Sequence, residues 1–515
     1  MSEFKLLIDT NIFIGLEDPK EVDPGLAELS RKCSEHHVRI FIHEAAVDDV
    51  ARDKDESRRE ISLSKIRKFE TLKAIKLPSR DALEREFGRI SRHNDEVDVI
   101  LLFALSTRAV DFLVTQDQGI HGRVKNSPLA RQVLTVEDAL AWVNQTFEPA
   151  AVSLPFVEER KAYEIDLKDG IFDSLREGYP GFDEWWREKC VRDHRDCWTI
   201  NIGGDIAGLV VRKDETHVDS RTKFGGNKIL KICTFKVKPQ FWGEKFGELL
   251  LKQILWFVQR NGYDLVYLTT FPSQTFLIQV LEFYGFEQTL RRESGELFYE
   301  KPISHDRLNV TPKSEIFELD RKNYPRFVCG PPSKAFCVPI QGKWHQRLFP
   351  ELAKQTPLPL FPDVTSFIMP TGGHRMPGNT IRKVYLCRAQ TEELCPGDLL
   401  LFYQSISPTF LYSQHLTTVG IVQSLSATDN LDQLVRLTAK RSVFSESELR
   451  QMIDESERPV KVIDFLLIGH LDPPIELQRL VEAGIFINHP PQSISILSPD
   501  RLELVKSRMN FGFML

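Results

Sequence analysis

The sequence predicts a multidomain chain: an α/β segment on a parallel sheet, an α+β segment, and a β-rich barrel. Three observations carry this. At 515 residues the chain exceeds the roughly 250–300 residues that one hydrophobic core serves, so two to four domains are expected. Residues 1–147 alternate short apolar strands with helical stretches, whereas 150–303 join hairpin strands to long helices. Residues 326–515 are Pro- and Gly-rich, with many short strands between turn signals.

In the first segment LLIDTNIFI, VRIFIH and DFLVTQ read as buried strands. A charged helix is expected over about 44–72, and an apolar one starts near Asp95. TFEPAAVSLP reads as a linker. In the second, WTINIGGDIAGLVVRKDE is two strands around Gly-Gly-Asp. The strand ILKICTFKV follows, then a Gly-containing turn and the helix GELLLKQILWFVQRNG. The strand YDLVYLTT, the helix TFLIQVLEFYGF and the strand ELFYEKPI complete it. In the third, KVYLCRA, GDLLLFYQS, TTVGIVQSL and VKVIDFLLIGHL are strands, with one helix, SESELRQMIDES, between them.

Composition excludes several classes. A net charge of −6 rules out a uniformly basic nucleic-acid coat, though not a local basic groove. No apolar run approaches 18 residues, so no membrane partner is expected. The start MSEFKLLIDTNIF has no basic stretch before a long apolar one, so no secretory signal is expected. Eight cysteines without a CxxC pair fit a reducing cytoplasm, which is the expected location. Cys190, His194 and Cys197 offer three soft ligands without a second half, so scattered thiols are the better reading than a structural metal.

Carboxylates stand at the ends of core elements in the first segment: Asp9 after a strand, Asp49 in the next helix, Asp98 opening the apolar helix, and Asp117 after a strand. Asp95 lies one turn before Asp98. Strand ends border the ligand crevice of an open α/β sheet. Carboxylates gathered there repel one another, and a hard divalent cation, Mg²⁺ or Mn²⁺, removes that penalty. Each acid alone is as well explained as a helix cap or a solvated turn. As an ordered set with Thr10, Asn11 and Thr115, they resemble the PIN domain, a fold of metal-dependent ribonucleases that includes bacterial toxins. The resemblance covers 1–147. It implies Asp9, Asp49, Asp98 and Asp117 as catalytic metal ligands, with Asn11, Asp95 and Thr115 in support. The second acid is usually Glu in that family; here it is Asp49, with Asp48 and Glu44 as competitors. The basic residues from Lys54 to Lys68 are interleaved with acids and read as a solvated face.

In FKVKPQFWGEKFGELLLKQIL the strand ends at Val237, and the turn with Gly243, Lys245, Phe246 and Gly247 opens a helix whose N–H groups suit a pyrophosphate. With the later Gly285-Phe286 pair, residues 150–303 resemble GNAT acetyltransferases, which implies acetyl-CoA held at that turn. Trp242 stands where that family has Arg or Gln, and Lys245 where it has Gly. Leu281 occupies the position of a common tyrosine acid, so the acid is unassigned. A degenerate module used for binding is the plain alternative.

CPGDLLLFYQS and the strands after it resemble the PUA-like superfamily, including ASCH and EVE domains, over 326–515. That implies RNA or modified bases as ligands. Residues 331–400 hold eight Lys and Arg against five acids, and GGHRMPGNTIRK, with Arg375, Arg382 and Lys383, is the expected RNA contact. Trp344, Tyr403 and Tyr412 could stack bases, while Tyr385 and Phe402 read as core. The combined expectation is a metal-dependent endoribonuclease acting on RNA, with tRNA one candidate and a toxin or defence role implied by resemblance alone. An antitoxin or inhibitor protein and a homodimer are partners that the resemblance admits. The alternatives are an acetyl-CoA-dependent N-acetyltransferase whose other modules deliver substrate, and a non-catalytic RNA-binding protein.

Overall fold

The computed structural model describes residues 4–9, 11–12, 24–45, 47, 69–73, 77–147, 156–242, 245–306, 308, 312–354, 376–377, 380–390, 393–407, 412–439, 443–455, 458–487, 489–509 and 511–513. The chain divides into two compact units. One holds residues 1–150, 239–244 and 428–460; the other holds 151–238, 245–427 and 461–515.

In the first unit, β1 (Lys5–Ile8), α1 (Pro24–Glu35), β2 (Arg39–His43), β3 (Glu70–Leu72), α2 (Arg80–Phe87), α3 (His93–Ser106), β4 (Phe112–Val114), α4 (Gln118–Val124), β5 (Val133–Leu134) and α5 (Val136–Phe147) follow in order. The sheet runs β3-β2-β1-β4-β5, with every neighbouring pair parallel. Strands β4 and β5 are wholly apolar and buried, as in a covered parallel sheet, whereas the edge strand β3 is largely exposed. The strand order reverses between β1 and β4, which opens a crevice at their carboxyl ends. The helix expected over about 44–72 does not reach its end: Glu70–Leu72 is a strand paired with β2. Strand β1 also stops at Ile8, and Asn11 and Ile12 are already helical.

The second unit begins with β6 (Phe156–Lys161), α6 (Asp173–Gly178), α7 (Phe182–Trp185), β7 (Asp196–Ile202), β8 (Asp205–Glu215), β9 (Ile229–Val237), α8 (Phe246–Arg260), β10 (Leu265–Thr270), α9 (Thr275–Phe283), β11 (Glu287–Arg291) and β12 (Leu297–Pro302). The expected hairpin turns at Gly203 and Gly204, both at positive φ. The helix α9 ends before the Gly-Phe pair, and β11, unforeseen in the sequence, follows it. Gly285 sits at φ 83°, and a Cβ there would lie 2.8 Å from the Lys322 carbonyl oxygen, so only glycine fits.

The unit continues with α10 (Ile316–Asn323), β13 (Ala335–Ile340), α11 (Gly342–Leu348), α12 (Pro350–Lys354), β14 (Met376–Pro377), β15 (Arg382–Cys387), β16 (Leu399–Gln404) and β17 (His415–Thr428). Helices α13 (Leu431–Thr438) and α14 (Glu446–Asp454) belong to the first unit, and β18 (Val460–Glu476), α15 (Leu477–Glu482), β19 (Ser495–Leu497) and α16 (Pro499–Lys506) end the chain. The third sheet runs β15-β18-β17-β16-β13-β19; among the described residues β15 and β19 are edges, so the expected barrel is seen as an open six-stranded sheet. More helices interrupt it than the one expected. Tyr385, Phe402 and also Tyr403 are core. Gly397 (φ 85°) turns the chain so that both Asp398 oxygens accept backbone N–H groups, from Lys334 and Cys395. Among the described residues no helix is long and apolar enough to cross a membrane.

Candidate functional site

Strands β9 and β10 are parallel but pair only from Ile229↔Leu265 to Ile232↔Leu268. The pairing stops at a bulge. Arg212 of β8 faces Ile232 and Val211 faces Thr234, so Cys233 is the extra residue. A bulge bends and twists its strand. Beyond it, Thr234 to Val237 are half-exposed although they sit inside the eight-stranded sheet. The two strands therefore part and leave a cleft.

Helix α8 starts at this end of β9. A Cβ on Gly247 would lie 3.9 Å from both Phe235 and Val237, so the first turn rides on the strand's last residues. Lys245 is the N-cap, at φ 59°, without a side-chain cap hydrogen bond. It holds the left-handed conformation that the expected glycine would adopt freely, and a residue with a Cβ pays about 1–2 kcal/mol for it. A 15-residue helix whose start has no capping side chain directs N–H groups and a partial positive charge outward. Gly243 lies outside the described residues. At the end of β10 the Tyr179 ring lies 6.0 Å from Phe271, and the Thr269 hydroxyl donates to Glu296 at 3.5 Å. Tyr284 is a buried core side chain against Phe283 and Tyr324, and Leu281 is buried as well. Leu249, Leu250 and Leu251 of α8 are buried.

In the first unit the crevice between β1 and β4 collects three of the four expected acids. Asp9 is buried and accepts the Thr115 hydroxyl at 2.7 Å. Asn11 Nδ2 lies 3.5 Å from Thr115 Oγ1. Asp117 caps α4, accepting from the N–H groups of Gly119 and Ile120, and its own N–H donates to Thr115 Oγ1. Asp98 stands on the first turns of α3. Burial, then the charges of Asp117 and Asp9, push its carboxyl up to about 7, against the pull of Arg123. Asp95 is spent on structure: it accepts from the Ser91 and Arg92 N–H groups and pairs with Arg123 at 3.0 Å. Those N–H groups, more than Arg123, hold its carboxyl below the usual range. Sequence reasoning missed His121, whose Nε2 is 3.0 Å from the Thr115 carbonyl oxygen. Thr10, Asp48 and Asp49 lie outside the described residues. Among the described residues no group of three or more His, Cys, Asp or Glu could hold a metal ion. The described carboxylates repel one another but do not by themselves amount to a cation cage.

Of the expected RNA contacts, Arg375 lies outside the described residues. Lys383 is buried. Arg382 is turned to α8: its N–H donates to Glu248 Oε1 at 2.7 Å, and its guanidinium stacks on Phe283. Trp344 is half-buried, beneath Lys343 and Arg347.

Residues 160–286 match the model of the acetyltransferase (GNAT) family, so the chain carries a GNAT acetyltransferase domain. No curated protein matches the chain. Among solved structures, an N-acetyltransferase from Staphylococcus aureus Mu50 is 14% identical, with 29% of this chain and 99% of that one covered and a TM-score of 0.24. A putative GNAT acetyltransferase from Desulfovibrio desulfuricans is 15% identical over 28% and 98% of the two chains, TM-score 0.23. A mutant of ZmASCH from Zymomonas mobilis is 12% identical over 34% and 97%, TM-score 0.24.

Proposed function

We propose that the chain is an acetyl-CoA-dependent N-acetyltransferase. The observation that carries this reading is the parting of β9 and β10 beside the N-terminus of α8, inside the segment that matches the family model. Acetyl-CoA supplies an activated thioester. The first turn of α8 binds its pyrophosphate through outward N–H groups, and Lys245 adds a positive charge. The half-exposed end of β9 positions the acyl arm by main-chain hydrogen bonds, as an edge strand does. Tyr179, Phe271 and Glu296, at the end of β10, suit a cationic amine as acceptor. Calorimetry with acetyl-CoA tests the binding step. Gly247→Asp favours the helix start but repels a pyrophosphate, so it should weaken acetyl-CoA at least tenfold while the thermal midpoint holds. Equal affinity in the two proteins would remove the turn from the proposal.

A second reading, a Mg²⁺- or Mn²⁺-dependent ribonuclease acting on RNA in the first unit, is favoured by one observation: Asp98 stands beside Asp9 and Asp117, its carboxyl held up by burial and then by their charges. It needs a further ligand, for which Asp49 is the candidate. Labelled tRNA with Mn²⁺ or EDTA, wild type beside Asp98→Asn, decides it: cleavage must need both the metal and Asp98. The C-terminal sheet then delivers substrate in either reading.

A further inference from the structure

Strand β15 begins at Arg382 and is an edge of the third sheet among the described residues, so one side of its backbone has no strand beside it. An N–H on such a side needs another acceptor. The Arg382 N–H donates to Glu248 Oε1 at 2.7 Å, and the Arg382 guanidinium stands 3.5 Å from Glu248 Oε2. Both oxygens of one carboxylate thus meet one residue. The guanidinium also stacks on the Phe283 ring, 4.9 Å from its centre, at the end of α9. That ring is fixed in turn by Arg321 of α10, which lies 4.6 Å from it and donates to the Phe283 carbonyl oxygen.

Glu248 is the acid in the first turn of α8, and its side chain is 5% exposed. An acid in a first turn is ordinarily welcome, because its charge meets the positive end of the helix dipole. Beside a bound pyrophosphate it is not. The two anions then compete for the same partial positive charge, and the low dielectric around a buried carboxylate strengthens their repulsion. Lys252, one turn on, is a cation that Glu248 shares with Glu351. Arg382 is the cation bonded to Glu248 through both main chain and side chain.

We infer that Arg382 is a positioning residue for acetyl-CoA: it holds and neutralises Glu248, so that the start of α8 accepts a pyrophosphate. This deepens the acetyltransferase reading and rests on it. Arg382 acts through Glu248 and not on the cofactor. The cofactor site of one sheet is thereby conditioned by the edge of another, 134 residues further along the chain.

The test is calorimetry with acetyl-CoA on the full chain, with thermal midpoints measured beside it. Arg382→Met uncovers the Glu248 charge and should weaken acetyl-CoA by about fivefold. That deficit should shrink as added salt screens the charge. Arg382→Lys should recover most of the loss. The double variant Arg382→Met/Glu248→Gln should bind within about twofold of wild type, which a mere loss of packing would not allow. Glu248→Gln alone keeps an acceptor for the Arg382 N–H and removes the charge, so it should bind as tightly as wild type or more tightly; it carries the test if Arg382→Met does not fold. The inference is overturned if folded Arg382→Met binds like wild type, if the double variant is as weak as Arg382→Met, or if Glu248→Gln weakens binding. Wild type that fails to bind acetyl-CoA would end the acetyltransferase reading and this inference together. Binding weakened by Gly247→Asp but not by Arg382→Met would end this inference alone.

Discussion

Two groups of charge in this protein are each centred on a carboxyl and drive it in opposite directions. In the first unit Asp98 faces Asp117 and Asp9, and burial and like charge together push its carboxyl up to about 7. In the second unit Glu351 is more deeply buried, and burial alone would push it up further. Instead His470, bonded to it at 2.6 Å, and the neighbouring Lys252 and Lys383 outweigh burial and hold the carboxyl well below its usual value. His470 in turn meets the Thr418 hydroxyl at 2.9 Å, and the half-buried Lys252 is lowered by burial, with Glu351 and Glu248 opposing. Burial raises both carboxyls, and the sign of the neighbours decides whether that rise is reinforced or overcome. A mixed set satisfies itself. An all-acid set stays frustrated until a proton or a cation arrives.

The sharpest way to break this comparison is Glu351→Gln. It removes the buried carboxylate that His470, Lys252 and Lys383 surround, and should cost about 3–5 kcal/mol in urea unfolding. A loss below 1 kcal/mol would mean the set is not held by charge. Next comes Asp98→Asn. The raised carboxyl binds its proton more tightly folded than unfolded, so wild-type stability falls as pH climbs from about 4 to about 7. The variant should lack that fall and gain about 1–2 kcal/mol at pH 8 after allowing for solvent screening, with no gain below pH 4. Mg²⁺ or Mn²⁺ at pH 8 should raise the thermal midpoint of wild type and not of Asp98→Asn if the acids close around a cation with Asp49. An equal response in both proteins would dismiss the metal. The smallest effect is expected from Thr115→Val, which removes the hydroxyl on Asp9 and should cost about 1 kcal/mol.

Much of the acid set was legible because it is local. Asp9 directly follows β1, Asp117 caps α4 two residues after Thr115, and periodicity placed α3 under Asp98. Asp95 was legible as a neighbour of Asp98 but not as a helix cap held by Arg123, since that pairing spans 28 residues. The cleft was half legible. Val237, Lys245 and Gly247 bracket a strand, turn and helix that any reader of the pattern would draw. The bulge at Cys233, which parts the strands, leaves no mark in ILKICTFKV, because it arises from register against β8. Arg382 reads as a cation on an exposed basic loop, whereas its guanidinium pairs with Glu248, 134 residues away, at 3.5 Å.

By itself the sequence determined what short-range physics determines: most of the helices and strands, where a carboxylate ends a strand, and that a glycine-containing turn opens the helix α8. Tertiary structure alone decided which charges meet. Glu351 and His470 are 119 residues apart and Arg436 and Asp111 are 325 apart. Periodicity decays within a few turns, while the energy of a buried charge depends on whatever the fold sets beside it.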